Sequence, residues 1–282
     1  MPEGPEVEFT LRSLKVFEGM EVESITLTKL SQKYNKYKGK QKDFLEFSSS
    51  ILEKLERHGK FIVWIFNNGK TILNHLGMSG KWLIYEGVFN ETKAKHAKVI
   101  VNFKGTKKAV VFDDARNFGQ FRIFENYFVL MNYTPIKKIG LDGLSLPFPI
   151  FEFKKIMKLK RISNKEIGKV LLDQSVISGI GNIYKSETLF LAKIDPTRIV
   201  KTLKTNEIEM LAKAIPDILN KAVKSMGSTI NSYRNPYGEE GSAQKWHKVY
   251  GKEGEKCEEC GTKILRIIQN KRSTFYCKKC QS

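Results

Sequence analysis

Residues 257–282 read CEECGTKILRIIQNKRSTFYCKKCQS, and every cysteine of the chain lies there, as Cys257-x2-Cys260 and Cys277-x2-Cys280 with 16 residues between the pairs. Two Cys-x2-Cys pairs at this separation can bring four thiolates to one point, and four sulfurs complete a zinc tetrahedron with no position left open. Two disulfides or a redox pair would draw on the same residues. The doubled spacing, turn-prone residues beside both pairs and the lack of a secretory signal favour metal. One structural Zn2+ per chain is expected, with a hairpin between the pairs whose tip carries Asn270, Lys271 and Arg272.

Outward from this finger the chain is basic and long enough for real cores. Its 282 residues carry 49 Lys and Arg against 30 Asp and Glu, a net charge of +19, and 41% are hydrophobic. Such an excess points to a polyanionic partner, with nucleic acid ahead of an anionic membrane. No apolar run approaches the ~18–20 residues of a spanning helix, and the polar start lacks a signal-peptide core, so a soluble intracellular protein is expected.

Upstream of the finger the pattern is helical over 151–226, broken at Ser178-Gly-Ile-Gly-Asn182, where two glycines allow a sharp turn before a helix start. Free N–H groups there could face an anion, although a glycine turn between packed helices needs no ligand. Residues 132–149 carry Gly and Pro turns without periodicity and read as a linker. Before them, Val7, Leu11 and Leu14 predict a first helix ending near Gly19. Ile25 and Leu27, then Phe61, Val63 and Ile65, alternate as in strands, and 99–101, 110–112 and 121–123 are further β-rich runs. The expected fold is α+β and multidomain: an N-terminal helix plus β-sandwich (1–131), a linker (132–149), a helical domain (150–246) and the zinc finger (247–282).

Several short stretches admit two readings. Pro2-Glu3-Gly4-Pro5-Glu6 suits a helix start, where proline's missing N–H costs nothing and acids face the positive helix end. Removal of Met1 would also expose a secondary amine beside two carboxylates, a nucleophile able to attack a sugar C1′. Leu76-Gly77-Met78-Ser79-Gly80 is a tight turn holding either a core methionine or a wedge for a base stack. Arg116-Asn117-Phe118-Gly119 offers a second such tip. His58-Gly59-Lys60 puts a cation at a turn, and 29–42 holds six lysines, no acids and two tyrosines, either a solvated face or a nucleic-acid-facing loop.

Taken in order, the PEGPE start, the HGK turn, the HLGMSG turn, the RNFG tip, the SGIGNIY segment and the NKRSTFYCKKC finger resemble the formamidopyrimidine-DNA glycosylase and endonuclease VIII family along essentially the whole chain. The resemblance implies a helix-two-turn-helix around SGIGNIY and a bifunctional DNA glycosylase/AP lyase of base-excision repair. Pro2 would form a Schiff base with C1′, Glu3 would open the deoxyribose and shuttle protons, and Glu6 would support them. Lys60 would grip a phosphate and serve proton transfer. His75, Asn182 and Arg272 would hold other phosphates, with Arg272 also serving the last elimination, and His96 would contact DNA. Met78, Arg116 and Phe118 would fill the void left by a flipped base. The resemblance further implies β,δ-elimination at duplex DNA bearing damaged bases or abasic sites, without a diffusible cofactor and by a monomer. Residues 234–244 depart from the segment that covers 8-oxoguanine in the formamidopyrimidine branch, and Gly4 leans to endonuclease VIII. Oxidised pyrimidines and ring-opened purines are therefore the expected lesions. The competing expectation is a non-catalytic damaged-DNA-binding or RNA-binding zinc-finger protein.

Overall fold

The computed structural model describes residues 2–32, 37–38, 41–87, 89, 94–230 and 233–282. They form two compact units, Met1–Lys137 with Ser225–Ser242, and Lys138–Lys224 with Ala243–Ser282. Much of the lysine run at 29–42, and Lys93, lie outside the described residues.

The first unit opens with α1 (Gly4–Leu14). Pro5 sits in its first turn, Glu3 and Glu6 form a reciprocal capping box, and Val7, Leu11 and Leu14 are buried along one face. A 3-10 turn over Lys15–Phe17 follows, and the chain leaves through Gly19 at φ +84°. Next come β1 (Val22–Leu27), the short α2 (Lys29–Gln32), β2 (Tyr37–Lys38) and α3 (Gln41–Phe44), and then β3 (Leu52–His58), β4 (Phe61–Phe66) and β5 (Thr71–His75). After β6 (Lys81–Glu86), β7 (Ala97–Phe103), β8 (Lys108–Asp113) and β9 (Gln120–Phe124) the unit continues with α4 (Tyr127–Asn132) and α5 (Thr134–Lys137). The strands make two sheets, ordered β1-β7-β8-β6 and β2-β9-β5-β4-β3.

One apolar core joins both sheets and α1. Val99, Val101, Val110 and Phe112 enter it from one sheet, and Leu55, Ile72 and Phe121 from the other. Trp82 lies 5.0 Å from the Trp64 ring and 5.1 Å from that of Phe112. In β4 this core takes Ile62, Trp64 and Phe66, not the Phe61, Val63 and Ile65 parity that stands out in the sequence. Every residue from 61 to 66 is apolar or aromatic, so the sequence pattern does not say which face turns inward.

The second unit holds β10 (Leu141–Asp142), α6 (Ile150–Met157), α7 (Lys160–Ser163), α8 (Ile167–Val170), β11 (Ile177–Ser178), α9 (Asn182–Leu191), α10 (Thr205–Lys224), β12 (Leu265–Gln269) and β13 (Arg272–Tyr276). β10 and β11 pair in parallel just before the Gly179-Ile180-Gly181 turn that starts α9. Leu211, Ile215, Leu219 and Ala222 give α10 a buried stripe at helical spacing. The β12–β13 hairpin turns at Asn270 and Lys271, with φ of +48° and +59°, as a two-residue turn with both central residues left-handed requires.

This partition differs from the linear one in two places. Residues 225–242, read from sequence as part of the helical domain, cluster with the sandwich, and the finger clusters with the helices. Phe190 of α9 packs with Val249, Cys257, Ile264 and Cys277, so the finger's small core is completed by a helix side chain. The division between units, at 137 and 138, falls inside the expected linker, which also carries α5 and β10.

Candidate functional site

In the first unit the site begins at the amino end of α1. Pro2, Glu3 and Glu6 are all buried. The Glu3 backbone N–H donates to Glu6 Oε2 at 2.7 Å, and the Ser228 backbone N–H donates to Glu6 Oε1 at 2.8 Å. Gly227, at φ +79°, lies so close that a Cβ there would stand 2.7 Å from Glu6 Cγ. The Tyr233 hydroxyl reaches the Glu6 carbonyl at 3.4 Å, and burial together with the Glu6 charge holds that phenol well above its usual range. Glu6 thus fixes both the residue beside Pro2 and a loop more than 220 positions away. Gly227, Ser228 and Tyr233 were missed by sequence reading, since no local spacing signals a contact so remote along the chain.

Lys60 and His75 are brought together by strand pairing. Gly59 (φ +58°) and Lys60 make the two-residue turn between His58 and Phe61, and Phe61 pairs with His75 across β4 and β5. His75 Nδ1 accepts the Gly77 N–H at 3.0 Å, which leaves Nε2 to carry the proton of the neutral ring. Burial, helped by the nearby Lys60 charge, lowers the His75 pKa to about 4. A neutral N–H donor beside a lysine is a suitable pair for a phosphate oxygen.

Two of the expected void-filling side chains project from the surface: Met78 is 38% exposed and Phe118 41%, values that exclude core packing for either. The Arg116 guanidinium lies over the Phe118 ring, 5.2 Å from its centroid. The turns carrying Met78 and Phe118 touch backbone to backbone, so a Cβ on Gly77 would come within 2.4 Å of the Phe118 carbonyl carbon. His96 sits at the same end, its backbone N–H on Asp113 Oδ2 at 3.2 Å and its carbonyl accepting from Asp114 N at 3.0 Å.

In the second unit Asn182, the first residue of α9, is brought to the finger hairpin. Its Nδ2 donates to the Ser273 carbonyl at 2.6 Å, next to the exposed Arg272. Lys185 is fully buried and donates to Asn182 Oδ1 at 3.0 Å and to Thr274 Oγ1 at 2.5 Å. Because an ammonium only donates, the amide atom facing it is the oxygen, and the NH2 is turned to the hairpin with one hydrogen to spare. Lys185 was also missed, one lysine among many in a basic chain.

The four cysteine sulfurs lie within 4.8 Å of one another, with Cys257 3.9 Å from Cys280 and Cys260 3.4 Å from Cys277. A tetrahedral Zn–S₄ centre has S···S separations of about 3.8 Å, so the donor set fits such an ion. Burial and the neighbouring sulfurs push the Cys280 thiol well above its usual range, which is the cost a bound cation would reverse.

A family model described as the formamidopyrimidine-DNA glycosylase N-terminal domain matches residues 1–121, and the H2TH domain of the same glycosylase matches 139–234. A zinc finger found in FPG and IleRS matches 254–282. The chain is 35% identical over 282 residues to the formamidopyrimidine-DNA glycosylase of Rickettsia africae (strain ESF-5), with 100% of this chain and 99% of the relative covered. It is 35% identical over 286 residues to that of Streptococcus pneumoniae (strain ATCC BAA-255 / R6), at 100% and 99% coverage. Lactococcus lactis Fpg, solved with abasic-site-containing DNA, is similar in structure with a TM-score of 0.86 at 30% identity and 99% coverage of each chain. The same enzyme solved with oxidised-pyrimidine-containing DNA gives 0.86 at 31% identity, with 100% of each chain covered. With its full length matched in this way, the chain belongs to the formamidopyrimidine-DNA glycosylase family and is a base-excision-repair enzyme, a DNA glycosylase with AP lyase activity.

Proposed function

We propose that the enzyme removes oxidised pyrimidines and ring-opened purines from duplex DNA through the amine of Pro2, and then cuts the strand by β,δ-elimination. The observation that carries this reading is the arrangement at the start of α1. Pro2 directly precedes two buried carboxylates, and Glu6 bonds both the Glu3 backbone and Ser228. Pro2 freed of Met1 is a secondary amine. Its nitrogen bonds to C1′ as the bond from C1′ to the damaged base breaks, the base departing with that electron pair and taking a proton from water, while the proton of the nitrogen passes to the Glu3 carboxylate. Glu3 protonates the ring oxygen as the sugar opens, leaving an iminium between Pro2 and C1′. Loss of a C2′ proton expels the 3′-phosphate, and a second elimination expels the 5′-phosphate. The iminium is the electron sink throughout, so no diffusible cofactor enters.

The remaining residues bind. Lys60 and His75 in the first unit, and Asn182 and Arg272 in the second, would each take a backbone phosphate, and a net charge of +19 suits that partner. Met78, Arg116 and Phe118 would fill the stack behind the extruded nucleotide, with His96 at the same end. Cys257, Cys260, Cys277 and Cys280 would hold a structural Zn2+ that keeps the β12–β13 hairpin folded. The lesion class is supported by the Lactococcus lactis enzyme, solved with Fapy-dG and with oxidised-pyrimidine DNA.

Trapping tests the reading. Methionine-processed enzyme mixed with an abasic-site duplex and borohydride is expected to yield a covalent adduct that maps to Pro2. Tight binding with no adduct would overturn the catalytic role of Pro2 and favour a binding module.

A further inference from the structure

The two exposed tips of the first unit are short turns, and a turn alone is a poor wedge. Filling the gap left by a flipped base means resisting the restacking of its neighbours, worth a few kcal/mol per step. A side chain on a yielding loop would be pushed aside, so the tips need a rigid support. The Met78 turn connects β5 to β6 and the Arg116/Phe118 tip connects β8 to β9, each passing from one sheet to the other. Their common support is a single carboxylate.

Asp114 has no exposed surface. Its Oδ1 accepts the Ser79 hydroxyl at 2.6 Å, from the residue after Met78, and its Oδ2 accepts the Gly119 N–H at 2.7 Å, from the residue after Phe118. The Arg116 N–H donates to Ser79 Oγ at 3.0 Å and reaches Asp114 Oδ1 at 3.3 Å, closing the ring between the turns. The Asp114 backbone N–H holds the His96 carbonyl, and the buried Lys98 supplies a nearby countercharge. The glycines leave no slack, since a Cβ on Gly119 would lie 2.7 Å from the Phe112 ring and 2.9 Å from Asp114 Oδ2. Two hydrogen bonds to one carboxylate, one from each turn, therefore tie the residue after Met78 to the residue after Phe118.

We infer that Asp114, acting through Ser79 and Gly119, is a positioning residue that couples the Met78 and Arg116/Phe118 turns into one rigid wedge, so that the enzyme inserts both tips as a unit. The inference rests on the reading of these tips as void fillers. It places the support of both tips in a buried carboxylate that acts through the turns it bonds.

Ser79→Ala, Ser79→Thr, Asp114→Asn and Met78→Ala are compared in single-turnover excision from a lesion duplex and in borohydride trapping on a single-stranded abasic oligonucleotide, which requires no void filling. Loss of a hydrogen bond to a buried carboxylate predicts that Ser79→Ala slows duplex excision about tenfold. Single-strand trapping stays at the parent level, and Ser79→Thr, which keeps the hydroxyl, restores the rate. Asp114→Asn, with one acceptor oxygen replaced by a donor, slows it further; should it fail to fold, the serine pair still decides. Slow Met78→Ala with unimpaired Ser79→Ala overturns the role of Asp114 while leaving the wedge standing. Normal duplex excision by Met78→Ala overturns the wedge reading itself. Equal losses by Ser79→Ala on both substrates reduce Asp114 to a structural residue.

Discussion

At the scale of single residues, much of the site depends on polar groups buried where their ionisation is constrained. His75 is the clearest case, because burial and Lys60 lower its pKa to about 4 from an ordinary 6.5. The unfolded chain therefore binds a proton between those values that the folded chain refuses, and stability must fall as pH drops. The His75 contribution is fully present above about pH 6.5 and is lost progressively towards about pH 4. His247, lowered to about 4 mainly by burial, adds to the same slope. Urea midpoints of the parent and His75→Gln across this range are expected to converge as the pH falls. Parallel curves would mean that His75 is not held neutral. Glu6 shows the other form of constraint: one carboxylate serves a helix cap and a distant loop together, so its removal would disturb both.

At the scale of elements, the helix-two-turn-helix and the finger depend on each other. Phe190 completes the finger's apolar cluster, and the Glu187 carboxylate accepts the backbone N–H groups of Lys248, Val249 and Tyr250 at 2.7, 3.1 and 2.8 Å. Lys185 ties α9 to β13 through Thr274, which is itself fully buried. Lys185→Met keeps the volume but strips a donor from two acceptors, and an unsatisfied buried polar group costs about 1–3 kcal/mol. The expected outcome is a destabilisation of that order in urea unfolding, with DNA binding weakened as Asn182 loses its fixed amide orientation. A variant as stable as the parent would show that the lysine is dispensable to the junction.

At the scale of the whole molecule, a net charge of +19 spread over two units makes affinity for DNA steeply salt-dependent. Arg272→Ala is expected to weaken binding to all sequences alike and to reduce the salt slope by about one unit. Chelation of the metal, or Cys277→Ser, should reproduce that loss by letting the hairpin go; normal binding by a demonstrably metal-free finger would contradict the link. The cysteine spacing at 257–280, the proline and paired acids before α1, the glycines before α9 and the Asn270-Lys271 turn were legible because each is a local pattern, set by ligand geometry or backbone conformation within a few residues. The face of β4 turned inward was not, since an unbroken apolar run carries no alternation to read. Nor could local pattern reveal that 225–242 belongs with the sandwich, that Ser228 bonds Glu6, or that Asp114 clasps Ser79. These contacts join residues 35 to 222 positions apart, so only the packing that brings their strands and loops together determines them. The sequence by itself determined which chemistry the chain carries and the local elements that bear it. The tertiary structure decided which of those groups meet, because hydrogen bonding and close packing act through space and are indifferent to separation along the chain.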